Sequence, residues 1–198
     1  MKDFVAQLIR LLCGVRLFPE SEFPGSPSIY FANHSSHLDF VTIWAVLPPS
    51  LRARARPVAG RDYWERGAIR RWVGTTFFRA VLIERNKVTV ATNPLESMLA
   101  ALDAGESLIV FPEGTRSPNG SLREFKSGLY HLARARPAIP LVPIALDNLN
   151  RILPKGEALV IPIVARISVG TPLTLQSGES KPQFLARSRA AIEALRHS

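Results

Sequence analysis

The stretch Phe31-Ala32-Asn33-His34-Ser35-Ser36-His37-Leu38-Asp39-Phe40 places two imidazoles and a carboxylate within six residues. It begins where an apolar, strand-forming run gives way to a polar turn, and in open α/β sheets ligands collect beyond the carboxyl ends of strands. If the chain folds back there, Asp39 accepts the proton of one His34 nitrogen, fixes the tautomer and leaves the other nitrogen as a base. Such a pair deprotonates a hydroxyl. Two other readings fit the same spacing. His34, His37 and Asp39 supply two or three metal ligands, with Glu113 or His131 completing the set, as in a metal-dependent hydrolase. Alternatively, Asn33, Ser35, Ser36 and Asp39 cap the helix that follows.

A second constellation lies at Leu108-Ile109-Val110-Phe111-Pro112-Glu113-Gly114-Thr115-Arg116-Ser117, where a buried strand delivers a Glu, a Gly, a hydroxyl and an Arg into one turn. Gly114 permits close backbone approach, Arg116 offers a planar fork of donors for a phosphate, and Glu113 suits a guanidinium or a substrate hydroxyl. The plainer reading is a strand-end turn with a surface Glu–Arg pair.

The elements that must carry these turns alternate as in an α/β fold. Strands are expected at 28–32, 56–59, 80–83, 107–111, 141–145 and 158–169, and helices at 37–47, 62–73, 94–104, 126–135 and 182–195. Asn93 should cap the helix at 94–104, with Pro94 at its first position and Gly105 closing it. The expected architecture is one α/β domain over residues 28–198. Residues 19–27 form a Pro/Gly/Ser-rich linker, and residues 1–18 an amphipathic helix with Asp3, Gln7, Arg10 and Gly14 on its polar stripe. That helix either packs under the domain or lies in a bilayer interface.

Together the two constellations resemble motifs of the glycerolipid acyltransferases of the 1-acylglycerol-3-phosphate acyltransferase type. His34 and Asp39 match the first motif, an H-x-x-x-x-D pattern, and Phe111 to Ser117 match the third, FPEGTRS, in full. Leu82-Ile83-Glu84-Arg85 is similar to the end of the second motif, although Arg79 stands six residues earlier where the family usually has Gly. Pro140-Leu141-Val142-Pro143 is similar to the fourth, and Lys126-Ser127-Gly128 and Leu153-Pro154-Lys155-Gly156 also fit. The resemblance spans residues 29–172 and implies a single domain with a mixed central β-sheet flanked by helices. It implies transfer of a fatty acyl group from a thioester to the sn-2 hydroxyl of 1-acylglycerol 3-phosphate, giving phosphatidic acid; relatives acylate other lyso-lipids or glycerol 3-phosphate. His34 would be the base and Asp39 its orienting partner. Arg85 and Arg116 would hold the acceptor phosphate, with Glu113, Gly114 and Thr115 in the same substrate site. No metal or other cofactor is implied, and acyl-CoA or acyl carrier protein would be the donor substrate.

Composition restricts the partners further. With 25 Lys+Arg against 16 Asp+Glu the formal net charge is +9, which calls for an anionic partner. Residues 51–85 hold nine arginines against three acids, among them Tyr63-Trp64 beside Arg61, Arg66, Arg70 and Arg71. Aromatics among arginines suit a membrane interface, a nucleotide-bearing donor or single-stranded nucleic acid. No helix-turn-helix, zinc or RNP signature favours nucleic acid, so an anionic lipid surface and an acidic acyl donor are the expected partners. Cys13 is the sole cysteine, which excludes an internal disulfide or a Cys-x-x-Cys site. No apolar run is long enough to span a bilayer, and the N-terminus lacks the pattern of a signal peptide. The expected location is peripheral, on the cytoplasmic face of the inner membrane.

Overall fold

The structure is a computed structural model that describes residues 1–18, 22–25, 27–64, 67–84, 93–149 and 164–197. Its frame is a seven-stranded sheet in the order β1-β7-β6-β2-β5-β3-β4. The strands are β1 (Arg16–Leu17), β2 (Ile29–Ala32), β3 (Ala55–Gly60), β4 (Val81–Ile83), β5 (Ser107–Val110), β6 (Leu141–Asp147) and β7 (Arg166–Val169). β2 to β6 run parallel to one another, β7 lies antiparallel to β6, and β1 pairs parallel with β7. The sheet is therefore mixed.

Helices cover both faces, as parallel strands require. They are α1 (Lys2–Leu12), α2 (Asp39–Val46), α3 (Pro49–Arg54), α4 (Arg61–Trp64), α5 (Ala68–Trp72), α6 (Pro94–Asp103), α7 (Gly128–Ala135) and α8 (Lys181–His197), with a π-helical turn at Val73–Phe77. All four residues of β2 are buried. Alternation along it sends Tyr30 and Ala32 into one core, with Ile43, Trp44 and Ile144, and Ile29 and Phe31 into the other, with Leu108, Leu132 and Phe184. A strand packed from both sides is held rigidly, and its carboxyl end carries His34.

Several expected boundaries move. The first helix stops at Leu12 rather than running to residue 18, and Arg16–Leu17 becomes an edge strand on β7. The helix expected at 62–73 breaks into α4 and α5, because Gly67 sits at φ 101°, outside helical space. The helix expected from His37 starts at Asp39, and the one expected from Lys126 starts at Gly128. Of the strand expected at 158–169, residues 158–163 lie outside the described residues and Arg166–Val169 forms β7. The opening of α6 is as expected: Asn93 accepts from the Leu95 amide and Pro94 takes the first turn.

α1 packs on the domain along one side and leaves apolar side chains uncovered on the other. Ala6 and Cys13 are buried, Val5 and Ile9 pack on the core, and Asp3 pairs with Arg52 at 2.5 Å. On the side away from that contact, Met1, Phe4, Leu8, Leu11 and Leu12 remain exposed.

Candidate active site

β2 and β6 lie side by side, and Asn33 extends their ladder past the last strand residue. Its side-chain N–H donates to the Leu146 carbonyl at 2.8 Å, and its carbonyl accepts from the Leu146 amide at 2.8 Å. The side chain thus behaves like one more backbone pair, and it fixes the point at which the chain leaves the sheet.

Immediately after it, the chain closes on Asp39. This carboxylate is fully buried, and its Oδ2 accepts from His34 Nδ1 at 2.7 Å and from the backbone amides of Ser35 and Ser36 at 2.6 and 2.9 Å. All three donors precede Asp39 in the chain, so it fastens the turn behind it. α2 has no side-chain cap. Of the other proposed cappers, Asn33 is bonded to β6, and Ser36 Oγ accepts from the Leu38 amide at 3.3 Å. A carboxylate at the first turn of α2 also sits at the positive end of the helix dipole. An ionised carboxylate only accepts, so Nδ1 carries the proton and Nε2 presents a lone pair. The ring lies against Phe111, with centroids 4.2 Å apart and planes 19° apart. Two contacts therefore set the orientation of one imidazole whose side chain is 19% exposed.

The second turn holds the first in place. Glu113 is buried, and its Oε1 accepts from the His34 amide at 2.8 Å while its Oε2 accepts from the Arg123 amide at 3.3 Å. The His34 carbonyl in turn accepts from the Ser117 amide at 2.7 Å. Both oxygens of Glu113 are thus engaged by backbone, in place of the guanidinium, hydroxyl or surface Arg pair expected from sequence. Burial pushes the Glu113 carboxyl above its ordinary value, and the amides of His34 and Arg123 act against that.

The remaining expected residues separate by environment. Gly114 has φ 70°. Thr115 is exposed, and Arg116 is half-buried with no hydrogen-bond or ion-pair partner among the described residues. His37 is exposed at the mouth of the turn, and its pKa is lowered, first by desolvation and then by the positive charges of Arg116, His34 and Arg70. Arg85 and Leu153 to Gly156 lie outside the described residues. His131 is exposed on α7, and among the described residues no three His, Cys, Asp or Glu side chains are grouped to hold a metal ion. The metal-ligand set of His34, His37 and Asp39 with Glu113 or His131 is not assembled, because Asp39 and Glu113 are turned onto backbone amides. Trp44 is in the core, whereas Trp72 is exposed and lines an open groove of about 470 Å³ with Arg71 and Thr75. Sequence reading missed Asn33 as a ladder residue and Phe111 as a wall for His34. The strand-end position of both is the signal that could have found them.

Residues 15–147 match the Acyltransferase family. The chain belongs to that family. Relatives include the human (Homo sapiens) 1-acyl-sn-glycerol-3-phosphate acyltransferase alpha, 31% identical over 159 residues that cover 75% of this chain and 52% of the relative. A 1-acyl-sn-glycerol-3-phosphate acyltransferase from Cocos nucifera is 27% identical over 168 residues, covering 81% of this chain and 50% of its own length. The chain thus spans about half the length of these curated relatives. Its fold matches the crystal structure of the 1-acyl-sn-glycerophosphate (LPA) acyltransferase PlsC from Thermotoga maritima with a TM-score of 0.76 at 19% identity, covering 99% of this chain and 80% of that one. This member of the Acyltransferase family thus shares the mixed, helix-flanked sheet of that structure, and both turns of its site lie at carboxyl ends of parallel strands.

Proposed function

We propose that this acyltransferase moves a fatty acyl group from an acyl thioester to the sn-2 hydroxyl of 1-acylglycerol 3-phosphate, giving phosphatidic acid. The observation that carries this reading is the His34–Asp39 pair, fastened to the Glu113 turn and exposing one basic nitrogen. Relatives named for this activity support the choice of acceptor over glycerol 3-phosphate or another lyso-lipid.

The chemistry follows from the geometry. His34 Nε2 takes the proton of the acceptor hydroxyl while Asp39 holds Nδ1–H and stabilises the imidazolium that forms. The hydroxyl oxygen attacks the thioester carbonyl, the ester C–O bond forms as the C–S bond breaks, and the imidazolium returns its proton to the departing thiolate. No acyl-enzyme is required. Cys13, the one thiol, is buried in the N-terminal region, and its burial raises its pKa away from thiolate character. Arg116 binds the acceptor phosphate, together with Arg85, while Gly114 and Thr115 shape the turn. Holding phosphate and hydroxyl at once supplies the positioning that makes a weak base effective. Glu113 acts at one remove, by fixing the His34 backbone.

The acceptor is a lipid, and the protein has a face suited to meet it. Among the described residues no helix is long and apolar enough to cross a membrane. The exposed stripe of α1, with Phe4 69%, Leu11 78% and Leu12 61% exposed, and Ile69 and Trp72 of α5 beside Arg70 and Arg71, form apolar surface edged by cations. This composition suits a peripheral position on an anionic leaflet, at the cytoplasmic face of the inner membrane. Acyl-CoA and acyl carrier protein are both anionic donors that such a surface admits.

The test is an acyl-transfer assay on the purified chain, with acyl-CoA and acyl carrier protein as donors and a panel of acceptors. Phosphatidic acid formed fastest from 1-acylglycerol 3-phosphate is the expected result. A stronger preference for glycerol 3-phosphate or an unphosphorylated lyso-lipid would reassign the acceptor. Dependence on an added metal ion, abolished by chelation, would overturn the mechanism.

A further inference from the structure

Twelve residues after Gly114 the chain returns to the same turn. The Lys126 amide donates to the Pro112 carbonyl at 2.8 Å, which roots this residue beside the Glu113 turn. From that root its side chain runs along Gly114: a Cβ added to the glycine would come within 2.9 Å of Lys126 Cδ and 2.8 Å of both Cε and Nζ. Gly114 is constrained by its left-handed φ of 70°, and the end of the lysine side chain lies over it.

The ammonium so placed is exposed and has no ion-pair or hydrogen-bond partner among the described residues. Arg116, two residues beyond Gly114, is half-buried and likewise unpaired. The one acid inside the turn, Glu113, is committed to two backbone amides. A lysine lying over Gly114 and an arginine two residues beyond it, with the local carboxylate engaged elsewhere, put two cations without a partner among the described residues on the turn that braces the His34 backbone. Lysine contributes a point charge with three rotatable donors and arginine a planar fork, and the two are complementary on a phosphate with several oxygens.

We propose that Lys126 is a second phosphate-binding cation of this site, acting with Arg116 on the phosphate of the lipid acceptor or on a phosphate of the acyl donor. The proposal rests on the acyl-transfer reading above and adds a residue to it. Lys126→Met is the informative variant, since it keeps an unbranched stem over Gly114 and removes the charge; Lys126→Arg restores a cation.

Steady-state kinetics on the full chain separate the two phosphate sources. With acyl-CoA as donor, K126M should raise the KM for 1-acylglycerol 3-phosphate about tenfold, with a smaller change in kcat, and K126R should recover most of the loss. A rise in the acyl-CoA KM instead, absent with a short acyl thioester that lacks nucleotide phosphates, places Lys126 on the donor. Unchanged KM for both substrates, or a fall in kcat alone, overturns the proposal. Equilibrium binding of 1-acylglycerol 3-phosphate in neutral detergent micelles reads the same point without turnover. There, weaker binding by K126M supports the acceptor arm even if the acyl-transfer reading fails. Affinity equal to wild type, with the acyl-CoA KM also unchanged, refutes the proposal while leaving acyl transfer intact.

Discussion

The turn that carries His34 and the exposed sides of α1 and α5 are built on opposite principles. In the turn, buried polar side chains are tied down: Asp39 Oδ2 takes three donors while its buried Oδ1 takes none among the described residues, Glu113 takes two amides, and Asn33 takes one donor and one acceptor on β6. On the exposed sides, large apolar side chains such as Met1, Phe4, Leu11 and Ile69 are left uncovered, 69% to 88% exposed. A catalytic base needs a fixed orientation, which dense hydrogen bonding supplies at the cost of tolerance to change. For the role proposed for this surface, meeting lipid, area and charge suffice, so its individual residues should be replaceable. The contrast teaches that substitutions of similar size should differ greatly in effect between the two regions.

The sharpest way to break that comparison is Asp39→Asn. The amide removes the charge that stabilises the imidazolium and disturbs the tautomer, so kcat should fall on the order of 10³-fold with the fold retained by circular dichroism. Next comes Glu113→Gln. The amide keeps an acceptor for one of the two backbone amides but turns a donor toward the other, and kcat should fall about tenfold to a hundredfold. The measurement is kcat with KM for the acceptor, which should move little because Glu113 touches backbone. Smaller still is the exposed side of α1: Leu11→Glu with Leu12→Glu should weaken partition onto anionic vesicles about tenfold or more, read by co-sedimentation. Turnover of a micellar acceptor should stay near wild type. Equal loss of turnover would show that α1 serves the site itself.

A structural pair tests whether the framework around the site tolerates local strain. Arg79 has φ 54°, a conformation that favours glycine, and it is held there by Glu106, which also accepts from Arg56 at 2.6 Å, while Arg56 Nε donates to the Arg79 carbonyl at 2.6 Å. Arg79→Gly should relieve about 1 kcal/mol of backbone strain and forfeit the pair. The coupling between R79G and E106Q in a double-mutant cycle of chemical unfolding should be about 0.5 to 1.5 kcal/mol.

The smallest effect concerns pH. The fold favours neutral His37, whose pKa lies below its ordinary 6.5. Its contribution to stability is present above that ordinary value and is lost as pH falls through the lower, folded one. Wild type should therefore lose more Tm than His37→Gln on acidification below about 6.5.

How legible this was from sequence follows the same division. The order of strands and helices and the two site turns stood out because hydrophobic runs end abruptly in polar residues with defined chemistry, as at Ala32-Asn33-His34 and Phe111-Pro112-Glu113. What escaped were pairings across long sequence separations. Asn33 meets Leu146 and His34 meets Glu113 through side chains that also read well as caps or surface pairs. Edge strand β1 escaped because Arg16–Leu17 continues the amphipathic period of α1 until β7 supplies a partner. Gly67 was visible in the sequence, but its positive φ was not.

The central claim is that His34 removes the acceptor proton with Asp39 as its orienting partner. It is tested most directly by His34→Ala, assayed for acyl transfer to 1-acylglycerol 3-phosphate with donor and acceptor both saturating. The account predicts a fall in kcat of about 10²- to 10⁴-fold, with acceptor binding and thermal stability close to wild type. Near wild-type turnover by the folded variant would contradict it.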